Sequence, residues 1–128
     1  MNALAKKLLI KPGSRIAVVN PPPGYADRLQ PLPEGAELVD LQPGLDVVQV
    51  FAHDRAELGR AADALGAVRQ GGLLWVCYPK GGKKAGTDLN RDLLWQELSR
   101  SGLTGVTLVA VDETWSALRV RPTAEVGT

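Results

Sequence analysis

Short apolar runs that alternate with helical stripes limit what this chain can fold into more than any other feature. Arg15-Ile16-Ala17-Val18-Val19-Asn20 and Leu73-Leu74-Trp75-Val76-Cys77-Tyr78 are continuously apolar inside polar ends, the mark of strands covered on both faces. Ala36–Asp40 and Asp46–Ala52 read as two more strands, divided by the turn Pro43-Gly44. After Asp54, a plausible N-cap, Leu58, Ala61, Ala62, Leu65 and Val68 recur at helical spacing, which predicts a helix to about Arg69 with Gly71-Gly72 leading into the next strand. A short helix is expected over Asn2–Ile10, one or two turns over Tyr25–Leu29, and a helix from Thr87 or Asp88 to Gly102. Val106–Val111 and Trp115–Arg121, separated by Asp112-Glu113-Thr114, predict an antiparallel hairpin.

Strands that alternate with helices require a mostly parallel sheet with right-handed crossovers. The expectation is a three-layer Rossmann-like α/β sheet of about six strands, beginning in the order 2-1-3-4, with one antiparallel strand from the C-terminal hairpin. At 128 residues the chain is long enough to bury a core unaided, so residues 1–122 are expected to form one domain and 123–128 a flexible tail. Fifteen Lys and Arg stand against fourteen Asp and Glu, which makes nucleic acid an unlikely partner. The single cysteine, Cys77, excludes an internal disulfide and, lying mid-strand, reads as a small buried hydrophobe. One histidine and one cysteine make a zinc site improbable, and no metal site is expected. Neither a signal peptide nor a membrane span is visible, so a cytoplasmic protein is expected.

Ligands of such sheets sit outside the carboxyl ends of the strands, where this sequence places Asn20, Asp40, His53, Lys80 and Asp112. His53 has the chemistry of a general base, with Asp54 or Asp40 as its orienting partner, although no nucleophile motif accompanies it. Lys80-Gly81-Gly82-Lys83-Lys84-Ala85-Gly86-Thr87-Asp88 combines free backbone amides, positive charge and a following helix N-terminus, the ingredients of an anion site built from Lys80, Lys83, Lys84, Thr87 and Arg91. It lacks the G-x-x-x-x-G-K-S/T spacing of a P-loop. Trp75 and Trp95 read as packing residues. Trp115, alternating with Ala117, Arg119 and Arg121, either caps the sheet or stacks on a partner.

Lys11-Pro12-Gly13-Ser14-Arg15-Ile16-Ala17-Val18-Val19, with Asp46–Phe51, Gly71–Val76 and the terminal hairpin, resembles class I S-adenosylmethionine-dependent methyltransferases. Two stretches are more closely similar to a family of small uncharacterised bacterial proteins that carry a domain of unknown function: Leu74–Lys80 with Thr87–Asp92, and Asp112–Arg119. The first resemblance implies that Asp40 holds the ribose of the cofactor. It also implies an acidic residue and three alternating glycines after the first strand, where this sequence has Asn20, Pro21, Pro23 and Tyr25. Pyrrolidine rings fix φ and remove backbone donors across Pro21-Pro22-Pro23. Asn20-Pro21-Pro22-Pro23-Gly24-Tyr25 also resembles, with two residues inserted, the Asn-Pro-Pro-Tyr motif of amino-group methyltransferases, whose aromatic stacks on a base.

The sequence therefore reads as a degenerate methyltransferase-like domain: a non-catalytic binding or interaction module without a cofactor. Its expected partner is an anionic small molecule or a protein, with homodimerisation a further option. The alternative is a divergent S-adenosylmethionine-dependent methyltransferase using Asp40, Asn20 and His53.

Overall fold

The computed structural model describes residues 3–60, 64, 66–81, 88, 89 and 91–123, apart from the side chains of Arg60 and Arg91. In chain order the elements are α1 (Ala3–Lys7), β1 (Arg15–Val19), α2 (Tyr25–Arg28), β2 (Glu37–Leu38), β3 (Leu45–Phe51), α3 (Arg55–Arg60), β4 (Val68–Pro79), α4 (Arg91–Arg100), β5 (Leu103–Ala110) and β6 (Trp115–Pro122). They build a six-stranded sheet in the order β2-β1-β3-β4-β6-β5. The pairs β2–β1, β1–β3 and β3–β4 are parallel, while β6 runs antiparallel to both β4 and β5. The expected three-layer α/β sheet, its 2-1-3-4 opening and its one antiparallel strand are all present.

Alternation along the central strands explains the three layers. Val47 and Phe51 of β3 face α1 and α2, packing with Leu8, Tyr25, Leu29, Trp75 and Trp115. Val48 and Val50 face the other way, toward Leu58 of α3 and Leu94 and Leu98 of α4. Each large side chain buried this way contributes about 1.5–3 kcal/mol. Trp75 uses both its surfaces: the indole is buried, and Nε1 donates to the carbonyl of Leu8 at 3.1 Å, tying β4 to the chain after α1. Trp95 packs over Gly105, where an added Cβ would meet its ring at 3.0 Å and Leu118 at 2.9 Å.

The start of β4 differs most from expectation, while β5 begins at Leu103 and not at Val106, and β2 is shortened to Glu37–Leu38. β4 begins at Val68, so Gly71 and Gly72 lie inside a strand and not ahead of it. Val68 fits the helical stripe read from the sequence, but in the fold it pairs with Leu45. Pairing beside a buried neighbour outweighs a periodicity that one β-branched residue can satisfy either way.

Candidate functional site

The carboxyl ends of β1, β3 and β4 and the β5–β6 turn assemble one polar cluster. Asn20 ends β1 with φ +55°, a left-handed conformation in which asparagine is among the few tolerated side chains. Its Nδ2 donates to the carbonyl of Phe51 at 3.0 Å and to Glu57 Oε1 at 2.8 Å, joining the ends of β1 and β3 to α3. The same Glu57 oxygen accepts the backbone N–H of His53 at 3.0 Å and lies 2.7 Å from His53 Nδ1. Donation from the His53 backbone is the main cause that holds the Glu57 carboxyl below the usual range, and the imidazole and Asn20 add to it against partial burial.

Glu57 is therefore the hub of the site, and the sequence reading missed it. Its signal was present as Asp54-x-x-Glu57, the spacing of a helix-start capping box. Asp54 Oδ1 accepts the Glu57 N–H at 2.9 Å, as a cap should, and Asp88 Oδ1 accepts the N–H of Arg55 at 2.8 Å. The Glu57 side chain reaches back to His53 and Asn20. A carboxylate on Nδ1 favours the tautomer with its proton there, which makes Nε2 the basic nitrogen.

Behind His53 runs an aromatic ladder. Its ring meets Trp115 edge-on at 4.8 Å, Trp115 meets Phe51 at 5.0 Å, and Phe51 meets Tyr25 at 4.7 Å. Trp115 is only 5% exposed, so most of its surface is spent on capping the sheet. Asp112 shapes the turn before it: Oδ1 accepts the N–H groups of Thr114 and Trp115, both at 2.7 Å, and Oδ2 pairs with Arg28 at 2.9 Å. Burial works against its charge, but these donors outweigh burial and hold its carboxyl low. Lys80 joins the same turn, donating Nζ to the Asp112 carbonyl at 2.6 Å and its N–H to the Thr114 carbonyl at 2.8 Å.

The structure thus brings Asn20, His53, Trp115 and Lys80 to one end of the sheet. Asp40 stands exposed just past β2, the neighbour of β1. Tyr25 is placed differently: it is 1% exposed, and its hydroxyl donates to the buried Gln49 Oε1 at 2.9 Å, so it offers no stacking face to a ligand. Gln49 in turn donates from Nε2 to Cys77 Sγ at 3.3 Å, and burial pushes the Cys77 thiol up to about 12. Lys83, Lys84 and Thr87 lie outside the described residues, as does the side chain of Arg91, and with them most of the expected anion loop. Among the described residues, no group of three His, Cys, Asp or Glu is placed to hold a metal, and no helix is long and apolar enough to cross a membrane.

No protein-family model matches this sequence. No curated protein matches it either. Solved structures do. The DhpI–SAH complex is similar over 94% of this chain and 82% of its own, with a TM-score of 0.60 at 12% identity. A ribosomal protein methylase from Lactobacillus delbrueckii subsp. bulgaricus is similar over 93% of this chain and 74% of its own, with a TM-score of 0.55 at 8% identity. The Methanococcus jannaschii fibrillarin pre-rRNA processing protein is similar over 88% and 68%, with a TM-score of 0.52 at 12% identity. The fold is methyltransferase-like. The expectation of a non-catalytic module with no cofactor is corrected by these neighbours, which include a complex with SAH and a methylase. That expectation rested on the loop after β1, where Pro21, Pro22 and Pro23 lack backbone donors; lost donors weaken binding and do not by themselves forbid it.

Proposed function

We propose that this chain is a divergent S-adenosylmethionine-dependent methyltransferase that binds its cofactor at the carboxyl end of the sheet. The observation that carries the reading is the likeness, over 94% of the chain, to a structure in complex with SAH, the demethylated cofactor. The residues present are compatible with that group. Asp40 offers an exposed carboxylate just past β2, suited to accept both ribose hydroxyls. The bound cofactor supplies an electrophilic methyl group on a sulfonium.

The chain's own residues supply positioning and proton handling. Glu57 fixes His53 through its backbone and Nδ1, leaving Nε2 as the site that takes a proton from the attacking acceptor. Asn20 locks Glu57 against the end of β3, so the imidazole is held from two directions. Trp115, seated on Phe51, keeps the His53 ring from turning inward.

Calorimetric titration with S-adenosylmethionine and S-adenosylhomocysteine tests the reading. Saturable heat is expected from both, weakened about tenfold by Asp40→Asn. No heat at millimolar ligand would refute it.

A further inference from the structure

The opposite end of the sheet is built irregularly, and the irregularity makes a cavity. Leu45 pairs with Val68 but Val47 pairs with Leu73, so Arg69 to Gly72 bulge out of β4. Gly71 takes φ +78°, and a Cβ on Gly72 would lie 2.7 Å from Val68 Cγ2 and 2.9 Å from the Asp46 carbonyl oxygen. β6 follows β4 only as far as the Leu74–Val120 pair. Where the strands part, a cavity of about 330 Å³ is lined by Leu9, Lys11, Ser14, Asp46, Arg69 and Arg119, among others. A second, of about 470 Å³, shares Arg69 and Arg119 with it and reaches Arg121.

The charges in the smaller cavity do not cancel. Lys11, Arg69 and Arg119 face one carboxylate, Asp46. Both oxygens of that carboxylate are engaged: Oδ1 by Arg69 Nε at 2.7 Å and Oδ2 by the Arg15 N–H at 2.9 Å. Arg119 Nε is buried and has no hydrogen-bond partner among the described residues. A guanidinium donor withdrawn from water without an acceptor is costly, and in native proteins such a group calls for an explanation. The lining is apolar in part: Val47, Leu73 and Leu9 belong to it, and Leu9 is 46% exposed at φ +62°, a conformation rare for a leucine.

We propose that this cavity binds a small organic anion, a carboxylate or phosphate on an apolar body, with the anionic head on Arg119 and Lys11 and the body against Leu9, Val47 and Leu73. A head group there completes Arg119 Nε and takes the charge that Asp46 leaves unmatched. The body covers the exposed Leu9. The site lies at the amino ends of β1 and β3, away from the Asn20–His53 cluster at their carboxyl ends, and does not depend on cofactor binding.

The test uses the full chain, isotope-labelled for NMR, titrated with phenyl phosphate, inorganic phosphate and phenol. Phenyl phosphate is expected to saturate, to shift the amides of Leu9, Val47, Gly72 and Arg119, and to bind about tenfold more tightly than either fragment. Arg119→Gln should weaken it about tenfold or more, Arg100→Gln on α4 should leave it unchanged, and saturating S-adenosylmethionine should not displace it. Lys11→Gln, at an exposed position, carries the same test with about a threefold loss should Arg119→Gln fail to fold. No saturation by about 20 mM phenyl phosphate, equal binding to Arg119→Gln, or displacement by S-adenosylmethionine would each overturn the proposal.

Discussion

Tyr25→Phe removes a single oxygen from a place where nothing can replace it. Tyr25 and Gln49 are each 1% exposed, so the carbonyl of Gln49 has no access to water once the hydroxyl has gone. The ring itself is undisturbed, because its edge-on contact with Phe51 at 4.7 Å involves only carbon atoms that Phe retains. The loss is therefore that of a buried acceptor left without its donor, which costs roughly 1–3 kcal/mol. About 2 kcal/mol overall is a fair expectation, which at a urea slope of about 2 kcal/mol per molar lowers the unfolding midpoint by about 1 M. The diagnostic variant is the pair Tyr25→Phe with Gln49→Met. It takes out the donor and the acceptor together, and Cys77 Sγ, a weak acceptor, loses little when Gln49 Nε2 leaves. The double variant should recover about 1–2 kcal/mol relative to the sum of the single changes. A Tyr25→Phe cost below about 0.5 kcal/mol, or strict additivity of the pair, would show that the buried Tyr25–Gln49 bond adds no net stability.

Three further outcomes rest on the same packing and charge arrangement. Glu57, Asp112 and Asp46 all hold carboxyls below their ordinary range, Asp46 chiefly through Arg69 and then Arg15, so their stabilisation is complete above the unfolded carboxylate pKa of about 4 and disappears as pH falls through the lower folded values. Urea midpoints should stay level from pH 7 to about 5 and fall below about pH 4; a level profile to pH 3 would contradict these assignments. Cys77, fully buried and with a thiol pushed up to about 12, should react with iodoacetamide only in urea, and native-state labelling at the rate of a free thiol would refute its placement. Gly72→Ala drives a Cβ against backbone and should cost about 2 kcal/mol or more in urea unfolding, whereas Gly105→Ala meets only side chains of Leu118 and Trp95 and should cost less; the reverse order would count against the bulge.

The fold was legible because its determinants are local and repeated. Two continuously apolar runs, two further strands and a Gly- and Pro-punctuated order are enough to give a parallel α/β sheet and its closing hairpin. What the pattern could not decide was Val68, which a helix stripe and a strand pairing both accept; only the presence of Leu45 alongside resolves it. The site was legible to the same extent. Asn20, His53 and Lys80 were identifiable as strand-end residues, because the strands themselves were. Glu57 was not, because its importance comes from one oxygen meeting two residues from different strand ends, a relation that spacing along the chain does not encode. Arg119 was visible only as part of an alternating face. Its buried nitrogen, without a partner among the described residues, depends on where β4 and β6 part company, which no local pattern sets.

The proline loop shows how far a missing motif can be pressed. Pro21, Pro22 and Pro23 withdraw three backbone donors from the loop after β1, and that absence argued against a cofactor. The arithmetic is milder than the argument. Three hydrogen bonds at about 1 kcal/mol each amount to roughly 100-fold in affinity, so a micromolar site that forgoes them all becomes one of about 100 µM. Asp40 does not depend on those donors. S-adenosylmethionine should therefore bind with a dissociation constant near 100 µM, within a factor of about ten, and restoring amides with Pro21→Gly and Pro23→Gly should tighten it. A wild-type chain that binds no more weakly than about 1 µM would show that the prolines cost nothing, and one that fails to saturate at about 10 mM would show that they forbid the cofactor outright.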